Sequence, residues 1–214
     1  VSDLVFSVLD TVDDSAIAYL GAAFPAAELF PLDKLRKSLR SANRSFTAHF
    51  GSKNLSPGNE ALRQAIARRY MSAGVSVSAA NIIITNGALE GLALALQTLT
   101  KPGDIVAIES PGFYAALKLI QFLNRRAIEI PMNPHEGLDL EVLEEALQNN
   151  AISACWCMTN FQNPLGSTLS EARKKALVAL LAAHKVPLIE DDVYGELYFG
   201  TSFPRPAKTF DEEG

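Results

Sequence analysis

The sequence is short of several things, and each shortage excludes a class of function. It has two cysteines in 214 residues, Cys155 and Cys157. Two thiols one residue apart cannot build the disulfide framework that staples small secreted domains. The three histidines, His49, His135 and His184, are scattered without ligand spacing, which argues against a metal site. Basic charge is also scarce: 19 Lys and Arg stand against 24 Asp and Glu, a net charge of −5. A compact nucleic-acid-binding domain carries a basic stripe, so these residues are not expected to grip DNA or RNA themselves. No uncharged apolar run approaches the ~20 residues needed to cross a bilayer. Asp3 and Asp10 stand where a secretory signal would have a basic region and an apolar core. With 13 glycines and 11 prolines the chain is neither fibrous nor low in complexity. What remains, 48% hydrophobic and 20% charged, is the composition of a cytoplasmic globular domain.

What is present is an alternation of helix and strand from about residue 57 onward. Ser56-Pro57 reads as a helix start, a Ser cap followed by Pro at the first helical position. Asn81–Thr85 is a short β-branched run that predicts a buried strand, and a helix rich in Leu and Ala follows over Ala88–Leu99. Further strands are predicted at Ile105–Ile108, Ala127–Pro131, Ile152–Met158 and Val186–Ile189. Between them lie helices from Pro111-Gly112 to Asn124, from Asp139 to Leu147, and after Ser167-Thr168, where Thr168 and Glu171 fit a capping box. His184 closes the last of these, where a cation suits the helix dipole. Strands apolar on both faces and separated by helices predict a three-layer α/β fold, a mostly parallel sheet covered on both sides. Residues 1–50 read as an arm or linker with one helix near Leu32–Ala42. Residues 51–200 form the main domain, and 201–214 read as an exposed connection cut short.

Ligands bind at the carboxyl ends of parallel strands, which directs attention to four segments. Thr85-Asn86-Gly87-Ala88 stands where a strand feeds a helix, so backbone N–H groups and the helix dipole can attract a phosphate. The same turn also serves purely local purposes, and it is neither G-x-G-x-x-G nor a Walker loop. Ser110-Pro111-Gly112-Phe113-Tyr114 opens a helix with two aromatics, either of which could stack on a flat ring or simply pack in the core. In Asn160-Phe161-Gln162-Asn163-Pro164-Leu165-Gly166, an Asn amide before Pro can aim a donor and an acceptor into a site, or only start a turn. Glu190-Asp191-Asp192 places three carboxylates at the end of an apolar strand, which implies a cationic partner, solvent or function. Tyr194 adds a phenol three residues after Asp191, while Glu190 and Asp192 are expected to face water. No Gly-x-Ser-x-Gly elbow is present.

In this order and spacing, the four segments resemble the large domain of fold type I, pyridoxal-phosphate-dependent aminotransferases of class I/II, over roughly residues 20–200. Asn163-Pro164-x-Gly166 and Asp191-x-x-Tyr194 are the specific parts. Leu20-Gly21-Ala22-Ala23-Phe24-Pro25, followed by Leu29-Phe30-Pro31-Leu32, narrows the likeness further. It resembles the segment joining a GntR-type winged-helix head to its aminotransferase-like body in MocR-type regulators. The resemblance implies that Asp191 pairs with the cofactor's pyridine nitrogen and that Asn163 and Tyr194 hydrogen-bond its phenolic oxygen. It implies that Phe113 stacks on the ring, with Tyr114 as the second choice, and that the turn Gly87, Ala88, Leu89 holds the phosphate.

The sequence also departs from the family. The lysine that links the cofactor lies in a Ser-x-Ser-Lys-like motif beyond the Asp-x-x-Tyr strand, and no such motif occurs here. Lys208 follows that strand too soon to replace it, so no catalytic residue is assigned. The arginine that grips a substrate carboxylate and the small C-terminal domain are absent too. Where many relatives have a Tyr-Gly whose hydroxyl reaches the phosphate across a dimer interface, this chain has Phe50-Gly51. The expectation is a fragment, inactive alone, from the cofactor-sensing body of a regulator. That regulator would be a homodimer, take an amino compound or amino acid, and meet DNA only through a winged-helix head. A metabolic aminotransferase acting on an amino acid and a 2-oxo acid is the alternative, and a non-catalytic small-molecule module the third.

Overall fold

The computed structural model describes residues 25–44, 46 and 55–211. The chain divides into two compact units, Val1–Leu55 and Ser56–Gly214. The described part of the first holds a short 3-10 turn, Ala27–Leu29, and helix α1 (Leu32–Arg44). Neither contains a buried residue. Leu20–Phe24, Phe50 and Gly51 lie outside the described residues.

The second unit is built on a five-stranded sheet in the order β3-β2-β1-β4-β5, made of β1 (Ile105–Ser110), β2 (Arg126–Asn133), β3 (Gly137–Leu138), β4 (Ile152–Cys157) and β5 (Leu188–Glu190). β1 pairs in parallel with β2 and β4, and β4 with β5; only the two-residue β3 runs antiparallel, against β2. Alternation along the strands divides the core. Ala107, Cys155 and Cys157 pack with Leu143 and Leu147 of α5 (Leu140–Asn149) and Leu177 and Leu181 of α6 (Glu171–Ala183). Val106, Ile108, Ala154 and Trp156 pack on the other face with Leu92 and Leu96 of α3 (Ala88–Leu99) and Ala116 and Ile120 of α4 (Tyr114–Phe122). Successive strand side chains point to opposite faces, so a strand buried on both sides needs an unbroken apolar run, and β1 has one over residues 105–108 and β4 over residues 154–157. This is the predicted three-layer, mostly parallel fold.

Several local expectations are corrected. The first helix of this unit, α2 (Glu60–Ser72), starts three residues later than Ser56-Pro57 suggests, because the Asn59 side chain accepts the Leu62 N–H at 3.1 Å and caps it. Ile82–Thr85 joins no sheet; the Ile84 N–H donates to the Pro57 carbonyl at 3.0 Å instead, and Ile83 is exposed. Helix α6 is capped by Ser170, whose hydroxyl accepts from the Arg173 N–H. The Thr168 hydroxyl turns back to the Phe161 N–H, so the capping box does not form. The tail is not a free connection: a 3-10 turn, Ala207–Phe210, contacts α6, and Ala207 is buried. The Glu190 carboxylate holds that turn by accepting from the Ala207 and Lys208 N–H groups at 2.6 and 3.1 Å.

Candidate functional site

The strand ends and the start of α3 enclose a cleft of about 260 Å³. Its lining includes the turn Asn86-Gly87-Ala88-Leu89. The first N–H groups of a helix have no intrahelical partner, and the dipole makes that end positive. Gly87 sits at φ +100°, a backbone shape that L side chains rarely adopt, and a Cβ placed there would meet no atom within 4 Å. The turn is therefore shaped by conformation and stays open toward the cleft. Asp191 and Tyr194 line the same cleft, together with Asn163 and Phe113. Leu92, Met158 and Val193 complete it with apolar surface.

All seven residues that the sequence singled out, Gly87, Ala88, Leu89, Phe113, Asn163, Asp191 and Tyr194, thus line one cleft. Tyr114 does not; its ring packs against Phe113 at 4.9 Å between centroids and a 59° tilt. Asp191 is 6% exposed and its backbone N–H donates to the Cys157 carbonyl at 3.0 Å. Burial raises its carboxyl above the usual range, against hydrogen bonds from the Val193 backbone and the Trp156 side chain. A carboxylate in that position gains most from a cationic hydrogen-bond donor.

Glu190 and Asp192, expected to be solvated, are corrected: both are engaged inside the protein. Asp192 accepts from Asn160 Nδ2 at 2.8 Å, and Lys174 Nζ donates to Asn160 Oδ1 at 2.5 Å and to the Arg205 carbonyl at 2.6 Å. Thr159 Oγ1 donates to Glu190. Burial pushes the Asp192 carboxyl up to about 6, offset in part by the Asn160 bond, and the same desolvation lowers the Lys174 ammonium.

Sequence reasoning missed Glu109, Gln162, Asn160 and Lys174. Glu109 is 7% exposed, and burial raises its carboxyl to about 7 despite hydrogen bonds from Gln162 and Met158. A carboxylate closing the apolar run of β1 was a visible signal. The pairing of Lys174 with Asn160 crosses 14 residues and left none. Among the described residues, no cluster of His, Cys, Asp or Glu could hold a metal, and no helix is long and apolar enough to cross a membrane.

Residues 24–213 match the family described as aminotransferase class I and II. The chain is 48% identical over 211 residues to the HTH-type transcriptional regulator YdcR of Escherichia coli, covering 99% of this chain and 45% of that protein. It is 30% identical over 216 residues to aromatic-amino-acid aminotransferase 1 of Thermococcus litoralis, covering 97% and 51%. Among solved structures, the kynurenine aminotransferase of Pyrococcus horikoshii, determined with PMP, superposes with a TM-score of 0.81 at 30% identity, over 99% of this chain and 53% of that one. The chain spans about half the length of the relatives it matches.

Proposed function

Because the chain belongs to the aminotransferase class I and II family, we propose that its second unit holds pyridoxal 5′-phosphate within the aminotransferase-like body of a GntR/MocR-type transcriptional regulator. The regulator senses an amino compound or the cofactor itself. The observation that carries the cofactor reading is the make-up of the cleft, whose lining combines the N-terminal turn of α3, a buried carboxylate and apolar surface. A flat ring with an anionic arm and a protonated nitrogen suits that arrangement. The regulator setting rests on the 48% identity to an HTH-type regulator. It carries with it a cytoplasmic homodimer that meets DNA through a winged-helix head.

Each residue then has a task set by its chemistry. The Ala88 and Leu89 N–H groups bind the phosphate, and Gly87 leaves room for its approach. Asp191 keeps the ring nitrogen protonated, a charge-assisted bond worth about 1.5–3 kcal/mol in a shielded site. Asn163 and Tyr194 orient the ring through its phenolic oxygen, and Phe113 covers one face and excludes water. When bound, the cofactor supplies an aldehyde that captures primary amines and a ring that withdraws electrons.

Titration of the full-length protein with pyridoxal phosphate, followed by visible absorbance, tests the reading. Saturable binding that weakens in Asp191→Ala supports it, and no binding by the unaltered protein sinks it. The metabolic aminotransferase is the second reading, favoured by the 30% identity to the Thermococcus litoralis enzyme. Steady turnover of an amino acid with a 2-oxo acid, in a protein without a helix-turn-helix, would decide for it.

A further inference from the structure

Gln162 is 1% exposed. Its Nε2 lies 3.0 Å from Glu109 Oε1, 2.9 Å from the Pro111 carbonyl and 2.9 Å from the Asn163 carbonyl. Its Oε1 accepts from the Leu165 N–H at 2.9 Å. One amide with two hydrogens therefore serves three acceptors and also closes the turn that follows Asn163. Glu109, the partner, uses its other oxygen to accept the Met158 N–H at 3.1 Å. The pair spans 53 residues of sequence. It ties together the end of β1, the end of β4 and the loop of Asn163. Neither side chain lines the cleft, yet each connects directly to a segment that does.

The connection to Phe113 is short. Pro111, which accepts from Gln162, stands two residues before it, and Gly112 lies between. A Cβ at Gly112 would fall 2.5 Å from the Glu109 carbonyl oxygen and 3.1 Å from Glu109 Cγ. The chain can take this path only with glycine there, which presses the Phe113 segment against Glu109. On the opposite side, the Asn163 N–H donates to Met158 Sδ at 3.4 Å, and the Met158 N–H is itself held by Glu109. Phe113 and Asn163 are thus fixed to the same buried carboxyl–amide pair from two directions.

From this geometry we infer that Glu109 and Gln162 are a positioning pair that sets the spacing and tilt between the Phe113 ring and the Asn163 amide, and so decides how firmly the two together hold a flat ring, one on its face and the other through its polar substituent. The inference rests on the cofactor reading above and extends it to two residues outside the cleft. Gln162→Met keeps the length of the side chain and removes all its polar contacts. Glu109→Gln keeps the shape but can accept only one of the two N–H groups that the carboxylate accepts.

The test uses the full-length protein, pyridoxal phosphate as ligand, and three readouts: affinity by visible absorbance, visible circular dichroism of the bound ring, and the thermal midpoint. Each single variant should bind about tenfold more weakly, the loss of roughly one buried hydrogen bond, with an altered ring dichroism. The double variant should lose no more than the weaker-binding single, since both changes break one unit. Glu109→Gln carries the test if Gln162→Met does not fold. Wild-type binding with both variants within twofold and an unchanged dichroism overturns the inference and leaves the cofactor reading standing. No binding by the wild type overturns both.

Discussion

Asp191 and Asp192 are neighbours in sequence and have different partners. Asp191 lines the cleft, while Asp192 accepts from Asn160 Nδ2 at 2.8 Å in the network that holds Lys174. The Asp192 carboxylate is already committed to that network, so Asp191 is the one of the two that can address a ligand in the cleft.

The first prediction follows from that division. Asp191→Asn in the full-length protein should reduce pyridoxal phosphate affinity by roughly one to two decades, the loss of a charge-assisted bond. Asp192→Asn should change affinity far less. Its burden falls on stability, because the new amide can present an N–H where Asn160 already donates. Parallel titrations decide it, and equal losses would mean the roles are wrongly divided.

The second prediction concerns pH. Burial raises the Glu109 carboxyl from 4.5 to about 7 and that of Asp192 from 3.8 to about 6. As pH rises through these windows, the unfolded chain gives up its proton first, so the folded state loses stability. The contribution is fully favourable below each unfolded value and is lost above each folded one. For Glu109 the span corresponds to about 3 kcal/mol at most. The charged neighbour that opposes its ionisation is Asp191. Urea midpoints should fall between pH 5 and pH 8, and Glu109→Gln should flatten that fall. A variant with the same slope as the wild type would refute the assignment to Glu109.

How much of this was legible in the sequence depended on range. Ala88–Leu99 carries its own helix signals and forms as expected, and Asp139 caps α5 by accepting from the Glu141 and Val142 N–H groups. Phe113, Asn163, Asp191 and Tyr194 were legible because parallel strands deliver their following loops to one edge, whereas the turn at Gly87 follows no strand and was legible only as a helix start. Ile82–Thr85 looked like a strand because its composition is right, but a strand needs a partner, and the Ile84 N–H finds Pro57. Glu109 with Gln162, and Lys174 with Asn160, are pairings made only by the fold, and no local pattern announces them.

The third prediction concerns lysine chemistry. No lysine lines the cleft among the described residues. Lys208 Nζ pairs with Asp211 at 2.6 Å, and Lys174 Nζ is committed to Asn160 and Arg205. Borohydride reduction of the 214-residue chain with pyridoxal phosphate, followed by peptide mapping, should give no stoichiometric label at any of its lysines. A single fully labelled site, Lys208 included, would require a different reading of the cleft.

The last prediction addresses Lys174, a charged side chain only 2% exposed. Two oxygens depend on its ammonium, Asn160 Oδ1 and the Arg205 carbonyl, and Glu190 and Asp192 act on it as counter-charges. Lys174→Met nearly preserves the volume but leaves both oxygens without that donor and the two carboxylates without their compensating charge. Removing one partner of a buried ionic network costs about 3–5 kcal/mol. It should also raise the Asp192 carboxyl further, since the lysine charge now lowers it. The Met variant should therefore unfold at markedly lower urea, with the larger deficit at pH 8, above the Asp192 value of about 6, than at pH 5. Lys174 reaches the cleft only through Asn160 and the Asp192 side of the strand end. Cofactor affinity measured on the folded fraction should therefore fall less than in Asp191→Asn. A Met variant as stable as the wild type at both pH values would show that the network contributes nothing net to the fold.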